Sequence, residues 1–196
     1  MRGNQGFPRI FSPYSWVMRR IAVIGPVGAG KSRLANELGR LLGIRVLHLD
    51  TMFWKPGWVP TPPDEWEALQ RREVATDSWI ADAQFDDILP EWLETADTIV
   101  FLDASPLRCL WRVSRRRLNR HASVGVPAGT EPAAFHQAFL KFLRNQWRYR
   151  TNVRRELLAE LAHEREKRRV VVLRRESDAA AFLTSLDSPS PARGTL

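Results

Sequence analysis

The sequence has little cysteine, no long apolar run and no ordered spacing of its histidines. Its 196 residues include one cysteine, Cys109, which excludes an internal disulfide and a cysteine-ligated zinc site. No stretch of about 18 residues is continuously apolar, which argues against a membrane-spanning helix. The four histidines show no metal-ligand spacing. A lone cysteine suits a reducing compartment, so we expect a cytoplasmic protein.

The two ends of the chain lack the patterns of folded segments. Residues 1–17 contain neither a continuous apolar stretch nor a small-residue cleavage site, which argues against a secretory signal. We expect them to form a flexible extension. Residues 187–196 are rich in serine and proline and are predicted to be a disordered tail. Residues 18–186 then suit one α/β domain with a single core.

One segment of the chain has few basic side chains, and another has almost no acidic ones. Residues 50–97 carry 12 acidic against 3 basic side chains, and residues 108–155 carry 12 basic side chains against one acid, Glu131. A protein that coats nucleic acid would spread its positive charge more evenly. The asymmetry therefore indicates a local electrostatic function, such as anion binding, although solvated helix faces also produce such runs.

Five short apolar runs alternate with helical periods along the chain. The runs are rich in β-branched residues, as strands buried on both faces are. They span 19–25, 44–50, 78–85, 97–103 and 168–174. Helices are predicted from 31 to 42, from 61 onward, from 106 to 120, from 131 to 166 and from 177 to 186. This alternation predicts a parallel sheet in a three-layer doubly wound α/β fold, with ligands at the carboxyl ends of the strands.

A glycine-rich turn with the phosphate-binding pattern G-x-x-x-x-G-K-[ST] joins the first strand to the first helix. Glycines permit positive φ and let backbone N–H groups approach phosphate oxygens, while the helix N-terminus adds its dipole. Lys31 is expected to reach the β- and γ-phosphates of ATP, and Ser32 to offer its hydroxyl to Mg²⁺. The predicted nucleotide-binding residues are Gly25, Pro26, Val27, Gly28, Ala29, Gly30, Lys31, Ser32 and Arg33.

Gly25, Asp50, Asp82 and Asp103 each close a predicted strand, which places them on one rim of the sheet. Asp103 either holds Mg²⁺, directly or through water, or caps the following helix. Asp50 either accepts a proton from an attacking hydroxyl, orients that hydroxyl, or bonds a local backbone amide. Four other side chains in these segments suit contact with a phosphoryl acceptor. The aromatic ones among them could instead close a loop over the core. These candidates are Asp82, Gln84, Phe53 and Trp54.

Six arginines lie between residues 108 and 120. On a helical wheel four of them, Arg108, Arg112, Arg115 and Arg116, gather on the flank of an apolar face that contains Leu107 and Trp111. Because the planar fork of arginine pairs bidentately with phosphate, this lid region, about residues 106–150, suits clamping a transferring phosphoryl group. Arg150 falls within the apolar stripe of the next helix, where its charge requires an anion or the carboxylate of an internal salt bridge.

Several strings of the sequence occur in the same order in one protein family. The strings are RRIAVIGPVGAGKS, VLHLDTMFWKPGW, DSWIADAQF, ADTIVFLD, CLWRVSRRRL and VVVLR. Through them the chain, from Met18 to about Leu183, resembles the adenylate-kinase-like P-loop proteins of the DNA topology modulation (FlaR) type. The resemblance implies a nucleoside-monophosphate-kinase-like fold with strand order 2-3-1-4-5, ATP with Mg²⁺, and a basic lid helix that matches Arg112 and Arg116. The chain departs from it at residues 82–85, where relatives tend to read Asp-Gly-Asn-Tyr.

The sequence therefore predicts an ATP-dependent kinase whose acceptor is a nucleotide, a nucleoside or another small hydroxyl compound. An alternative is a DNA-associated regulatory NTPase whose basic helices bind duplex backbones. A third is a nucleotide-binding protein without turnover. The kinase is favoured over the DNA protein because the acidic segment would be repelled by DNA and no DNA-reading motif is present. Its predicted catalytic residues are Lys31, Asp50, Arg112, Arg116 and Arg150.

Overall fold

The computed structural model describes residues 18–55, 59–83, 90–118 and 154–187, with the backbone alone for 116–118. Its strands are β1 (Arg20–Ile24), β2 (Val46–His48), β3 (Trp54–Lys55), β4 (Val59–Pro60), β5 (Trp79–Ala83), β6 (Thr98–Leu102) and β7 (Arg169–Leu173). Five of them form a parallel sheet in the order β2-β5-β1-β6-β7, and β3 and β4 form a separate antiparallel hairpin. The predicted five-stranded sheet and its 2-3-1-4-5 order are confirmed.

Seven helices are described. They are α1 (Lys31–Leu42), α2 (Leu49–Phe53), α3 (Pro63–Val74), α4 (Pro90–Thr95), α5 (Pro106–Leu118), α6 (Arg154–Glu164) and α7 (Glu176–Asp187). Gly43 ends α1 in the left-handed conformation (φ +68°), as a glycine at that position favours. Of the long helix predicted over 131–166, the part before residue 154 lies outside the described residues. No helix within the described ranges is long and apolar enough to cross a bilayer.

Two apolar clusters cover the two faces of the sheet. Alternate residues of β1 divide between them because successive side chains of a strand point to opposite faces. Ile21 and Val23 pack with α1 and α7, while Ala22 and Ile24 pack with α3, α4 and α6. The predicted three-layer arrangement is thereby confirmed.

The strand boundaries correct two predictions about the rim of the sheet. Asp50 does not close a strand: β2 ends at His48, and Asp50 lies in the first turn of α2, where Thr51 Oγ donates to the His48 carbonyl at 2.9 Å. Asp82 lies inside β5, opposite His48 of β2, and is 6% exposed. Gly25 and Asp103 directly follow β1 and β6, as predicted.

Candidate active site

The glycine-rich loop between β1 and α1 packs closely against two other elements. A Cβ on Gly25 (φ +151°) would lie 2.7 Å from the carbonyl oxygen of Leu102 at the end of β6. A Cβ on Gly28 (φ +81°) would lie 2.7 Å from the carbonyl oxygen of Cys109 in α5. L-residues rarely adopt these φ values, and neither site has room for a side chain. Glycine at both positions therefore lets the loop backbone pack closely against β6 and α5.

Lys31 opens α1 directly beside this loop. Its side chain is 7% exposed, and its Nζ donates to the carbonyl of Pro26 at 3.3 Å, so the ammonium group folds back over the loop. Within the loop the Ala29 N–H donates to the same carbonyl at 3.1 Å. Ser32 and Arg33 follow in the first turn of α1 and are exposed. A cation, a helix N-terminus and a hydroxyl thus meet at one place, and together they suit a triphosphate with Mg²⁺.

Arg112 of α5 contacts carbonyl groups of the loop. Its Nη1 donates to the carbonyl of Ala29 at 2.7 Å and to that of Gly28 at 3.4 Å. Its Nη2 donates to Glu176 at the start of α7, and this hydrogen bond lowers the pKa of the Glu176 carboxyl. Arg112 therefore ties the loop to two helices. Among the other predicted arginines, the side chain of Arg116 and all of Arg150 lie outside the described residues.

A cavity of about 430 Å³ opens beside the loop between α5 and α7. Trp111 is 59% exposed at its edge, with the Arg115 guanidinium 5.1 Å from the centre of its ring. Leu107 is 78% exposed, so the predicted apolar face of α5 is wrong. Cys109 is buried instead, and its backbone carbonyl lies against Gly28. The residues that line the cavity are Arg108, Trp111, Arg112, Arg175, Glu176 and Ser177.

Asp103, at the end of β6, is enclosed by arginines. Arg154 of α6 donates to both of its carboxylate oxygens, at 2.6 and 2.7 Å, and Arg174 Nε lies 3.5 Å from one of them. A guanidinium bonded to both oxygens neutralises the carboxylate charge that would attract a cation. The metal role of Asp103, directly or through water, stays a prediction.

On the other side of β1, Asp82 and His48 form a pair. Asp82 Oδ2 lies 2.7 Å from His48 Nδ1, and His48 Nε2 lies 3.1 Å from Asn36 Oδ1 on α1. Both ring nitrogens thus face acceptor oxygens, an arrangement that favours the doubly protonated imidazolium. The hydrogen bond to Asp82 raises the pKa of His48, and the nearby Asp50 carboxylate adds to this effect.

Aromatic rings follow Asp50 along α2 and the β3–β4 hairpin. Phe53 packs edge-on against Trp54, with 5.0 Å between ring centres, and against Trp66 of α3 at 5.4 Å. Trp54 remains 42% exposed, whereas Phe53 is partly buried. Phe53 thus closes the corner between α2 and α3, and Trp54 offers a ring face to solvent. Gln84 lies outside the described residues.

Three side chains at this site were not singled out from the sequence: His48, Arg154 and Glu176. Their partners lie 34, 51 and 64 positions away along the chain, so no local pattern reports the contacts. The one available signal was the position of His48 just before the predicted rim residue Asp50.

The fold is similar to those of solved kinases. The shikimate kinase from Acinetobacter baumannii in complex with shikimate gives a TM-score of 0.50 at 16% identity, over 87% of this chain and 92% of that one. A gluconokinase from Sinorhizobium meliloti 1021 gives a TM-score of 0.45 at 17% identity and covers 86% of this chain and 93% of its own. The deoxyadenosine kinase from M. mycoides with dCMP and dCDP bound gives a TM-score of 0.41 at 13% identity and covers 86% of this chain and 98% of its own. No protein-family model and no curated protein matches the sequence.

Proposed function

We propose that this protein is an ATP-dependent kinase that transfers the γ-phosphoryl group of Mg·ATP to a small hydroxyl compound or nucleotide. One observation carries the proposal: Lys31 folds over a strand-to-helix loop whose glycines leave no room for side chains. A purely structural turn would not need a buried lysine folded over it. The fold shared with the shikimate kinase at a TM-score of 0.50 is compatible with this chemistry.

The loop would hold the phosphates of ATP. Backbone N–H groups between Pro26 and Ser32 and the ammonium group of Lys31 would neutralise charge that develops on the transferring phosphoryl group. Arg112, which the sequence assigned to catalysis, holds the loop through two carbonyl groups. Arg116 and Arg150 remain proposals for the lid arginines.

The cavity between α5 and α7 would take the nucleotide base. It lies against Arg112 and so adjoins the phosphate loop, and it combines an exposed indole with guanidinium groups. Aromatic and guanidinium faces both stack on nucleobases. A base in this cavity and phosphates on the loop would define the bound orientation of ATP.

Magnesium would be held by the Ser32 hydroxyl together with phosphate oxygens. The first turn of α1 exposes that hydroxyl next to Lys31, which fits the requirement. The bound ion would neutralise charge on the β- and γ-phosphates. Within the described ranges no group of three or more His, Cys, Asp and Glu side chains is placed to bind a metal without such oxygens.

Asp50 would meet the acceptor hydroxyl. It is exposed in the first turn of α2, close enough to His48 for its charge to act on that ring. A carboxylate in this position can accept the hydroxyl proton or orient the oxygen for attack. Asp82 would act indirectly, since it is buried and bonded to His48.

Acceptor-dependent ADP release tests the proposal. The purified protein is given Mg·ATP with a panel of nucleoside monophosphates, nucleosides and small alcohols. We expect ADP to form rapidly with one class of acceptor and the phosphorylated acceptor to appear in equal amount. ADP formation that no acceptor stimulates would contradict the kinase assignment.

The relation to the DNA topology modulation (FlaR) family remains a proposal that rests on the sequence strings. No comparison supports the alternative that the protein binds duplex DNA. The described contacts also point elsewhere, because Arg112 and Arg154 are held by loop carbonyls and by carboxylates.

A further inference from the structure

Glu176, the first residue of α7, lies where three helices meet. Its carboxylate accepts a hydrogen bond from Arg112 Nη2 of α5, and its side chain is 76% exposed. That hydrogen bond lowers the pKa of Glu176, and the charges of Arg33 on α1 and Arg108 on α5 act in the same direction. An exposed ion pair contributes little to stability by itself. What distinguishes this carboxylate is its position behind Arg112 rather than the strength of the pair.

The guanidinium group of Arg112 connects Glu176 to the phosphate loop. Its Nη1 donates to the carbonyls of Ala29 and Gly28, at 2.7 and 3.4 Å, while its Nη2 donates to the carboxylate. Because the guanidinium group is planar and rigid, an acceptor that fixes one end of the fork also fixes the direction of the other. A hydrogen bond to a carboxylate is stronger than one to a neutral carbonyl. Glu176 therefore supplies the firmer of the two holds on Arg112.

The contacts of Arg112 also determine which way a loop amide points. In a trans peptide the N–H group points to the side opposite the C=O group of the same plane. The Ala29 carbonyl faces Arg112, so the N–H of Gly30 in that plane points away from the arginine. A positive charge on the carbonyl side also polarises the peptide and makes its N–H a better donor. Arg112 thus prepares this amide for an acceptor such as a phosphate oxygen.

A second cation lies close to Arg112. Burial raises the pKa of the Cys109 thiol, and the charges of Arg112 and Lys31 act on the same thiol in the opposite direction, so both cations lie near it. Two cations that share one loop repel each other unless anions offset their charge. Glu176 is bonded to Arg112 and offsets part of that charge. It thereby favours the arrangement in which Lys31 and Arg112 both stay on the loop.

We propose that Glu176 is a positioning residue for the phosphate loop. It holds Arg112 across the Ala29 and Gly28 carbonyls and so keeps the loop in the conformation that receives the phosphates of Mg·ATP. The identity of this ligand rests on the proposed kinase function. Glu176 acts through Arg112 and takes no part in bond making or bond breaking.

A double-mutant cycle on Mg·ATP binding tests whether Glu176 acts through Arg112. Titration calorimetry gives the dissociation constant for the wild type, Glu176→Ala, Arg112→Ala and the double variant. We expect Glu176→Ala to weaken binding by about three- to tenfold, and the double variant to bind as weakly as Arg112→Ala and no more weakly. If Arg112→Ala does not fold, Arg112→Lys replaces it, because an ammonium group cannot span both sets of acceptors.

The opposite sign would overturn the proposal. A carboxylate that merely lies near the triphosphate repels it, so its removal would strengthen binding, and by the same factor with and without Arg112. An effect of Glu176→Ala that persists unchanged in the Arg112→Ala background would likewise show that Glu176 does not act through this arginine.

Asp187→Ala provides the matched control. Asp187 is the last residue of α7, so this change removes one negative charge from the opposite end of the same helix, about 16 Å away. We expect it to leave the affinity for Mg·ATP unchanged. A change equal to that of Glu176→Ala would assign the effect to net charge and overturn the proposal.

Steady-state kinetics distinguish positioning of the loop from a general loss of structure. In Glu176→Ala the KM for ATP should rise by about threefold or more, whereas the KM for the acceptor should stay at its wild-type value. A parallel rise in both KM values would overturn the specific role of Glu176.

The outcomes also separate this proposal from the proposed function. Binding of Mg·ATP by the wild type with unchanged affinity in Glu176→Ala overturns the positioning role alone. No binding of Mg·ATP by the folded wild type overturns both. Affinities that follow the predicted cycle without acceptor-dependent ADP release support the positioning role and contradict the kinase assignment.

Discussion

Two groups of cations differ in where their partners lie along the chain. The nucleotide side is here Arg112 and Arg154, which contact the phosphate loop and Asp103, and the acceptor side is the described part of residues 44–97. Arg112 reaches the carbonyl of Ala29, 83 positions away, and Arg154 reaches Asp103, 51 positions away. The Lys and Arg ion pairs of the acceptor side span at most 28 positions, as with Lys55 and Glu65. The long-range contacts of Arg112 and Arg154 tie separate elements together, whereas the shorter pairs neutralise charge locally. The same residue type therefore has two functions, which the following predictions separate.

The largest difference between the two sides is expected from two lysine variants. Lys31→Ala removes the ammonium group that folds over the loop and should lower acceptor-dependent ADP release by about 100- to 1,000-fold. Lys55→Ala removes a paired lysine of the acceptor side and should change the rate by less than about threefold. Comparable losses in both variants would remove the distinction, provided that circular dichroism shows both to be folded.

Two glycine variants distinguish the effect of close packing at the loop from the effect of a positive φ alone. Gly28→Ala places a methyl group against the Cys109 carbonyl, and we expect Mg·ATP affinity to fall by about tenfold or more. Gly43 has a similarly positive φ, but nothing lies within 4 Å of its Cβ position. Gly43→Ala should cost only about 1–2 kcal/mol of folding free energy. Urea unfolding and titration calorimetry give the two quantities, and an unchanged affinity in Gly28→Ala would contradict nucleotide binding at this loop.

Removal of a long-range cation of the nucleotide side should reduce stability. Arg154→Ala leaves Asp103, whose side chain is 4% exposed, without its bidentate partner. Arg174 remains 3.5 Å away, so we expect a loss of about 1–2 kcal/mol in the free energy of unfolding, measured in urea. Arg155→Ala, on the adjacent exposed position of α6, serves as the control and should be nearly neutral.

The smallest expected effect concerns pH on the acceptor side. The hydrogen bond to Asp82 raises the pKa of folded His48 above its ordinary value of 6.5. Its stabilising contribution is therefore complete below about pH 6.5 and is lost as the pH rises through the folded pKa. The difference in unfolding free energy between the wild type and His48→Gln should be larger at about pH 6 than at about pH 8.5. A constant difference would show that the pair is not charged.

The sheet and the phosphate loop could be predicted because their signals are local. Short β-branched runs between helical periods specify parallel strands, and the resemblance supplied their order, which the structure confirms. The loop pattern includes both its strand and its helix, so Gly25 and Lys31 were placed correctly relative to both elements. The hairpin of β3 and β4 was missed, since two residues per strand leave no periodicity.

Contacts between distant segments could not be predicted. The pairing of His48 with Asp82 depends on strand register, and that of Arg154 with Asp103 on where α6 packs. The exposed face of α5 was misassigned because a helical wheel does not show which side of the helix packs against the phosphate loop. That side carries Cys109, which is buried, while Trp111 is exposed. Asp50 was placed at a strand end because an apolar run does not report where the backbone turns into a helix.

Titration calorimetry of Mg·ATP against the wild type and Lys31→Ala tests the central claim most directly. The account predicts one binding site in the wild type and affinity lowered by about 100-fold or more in the variant, because the ammonium group and the loop amides hold the same phosphates. Absence of binding by the folded wild type, or equal affinity in both proteins, would contradict it.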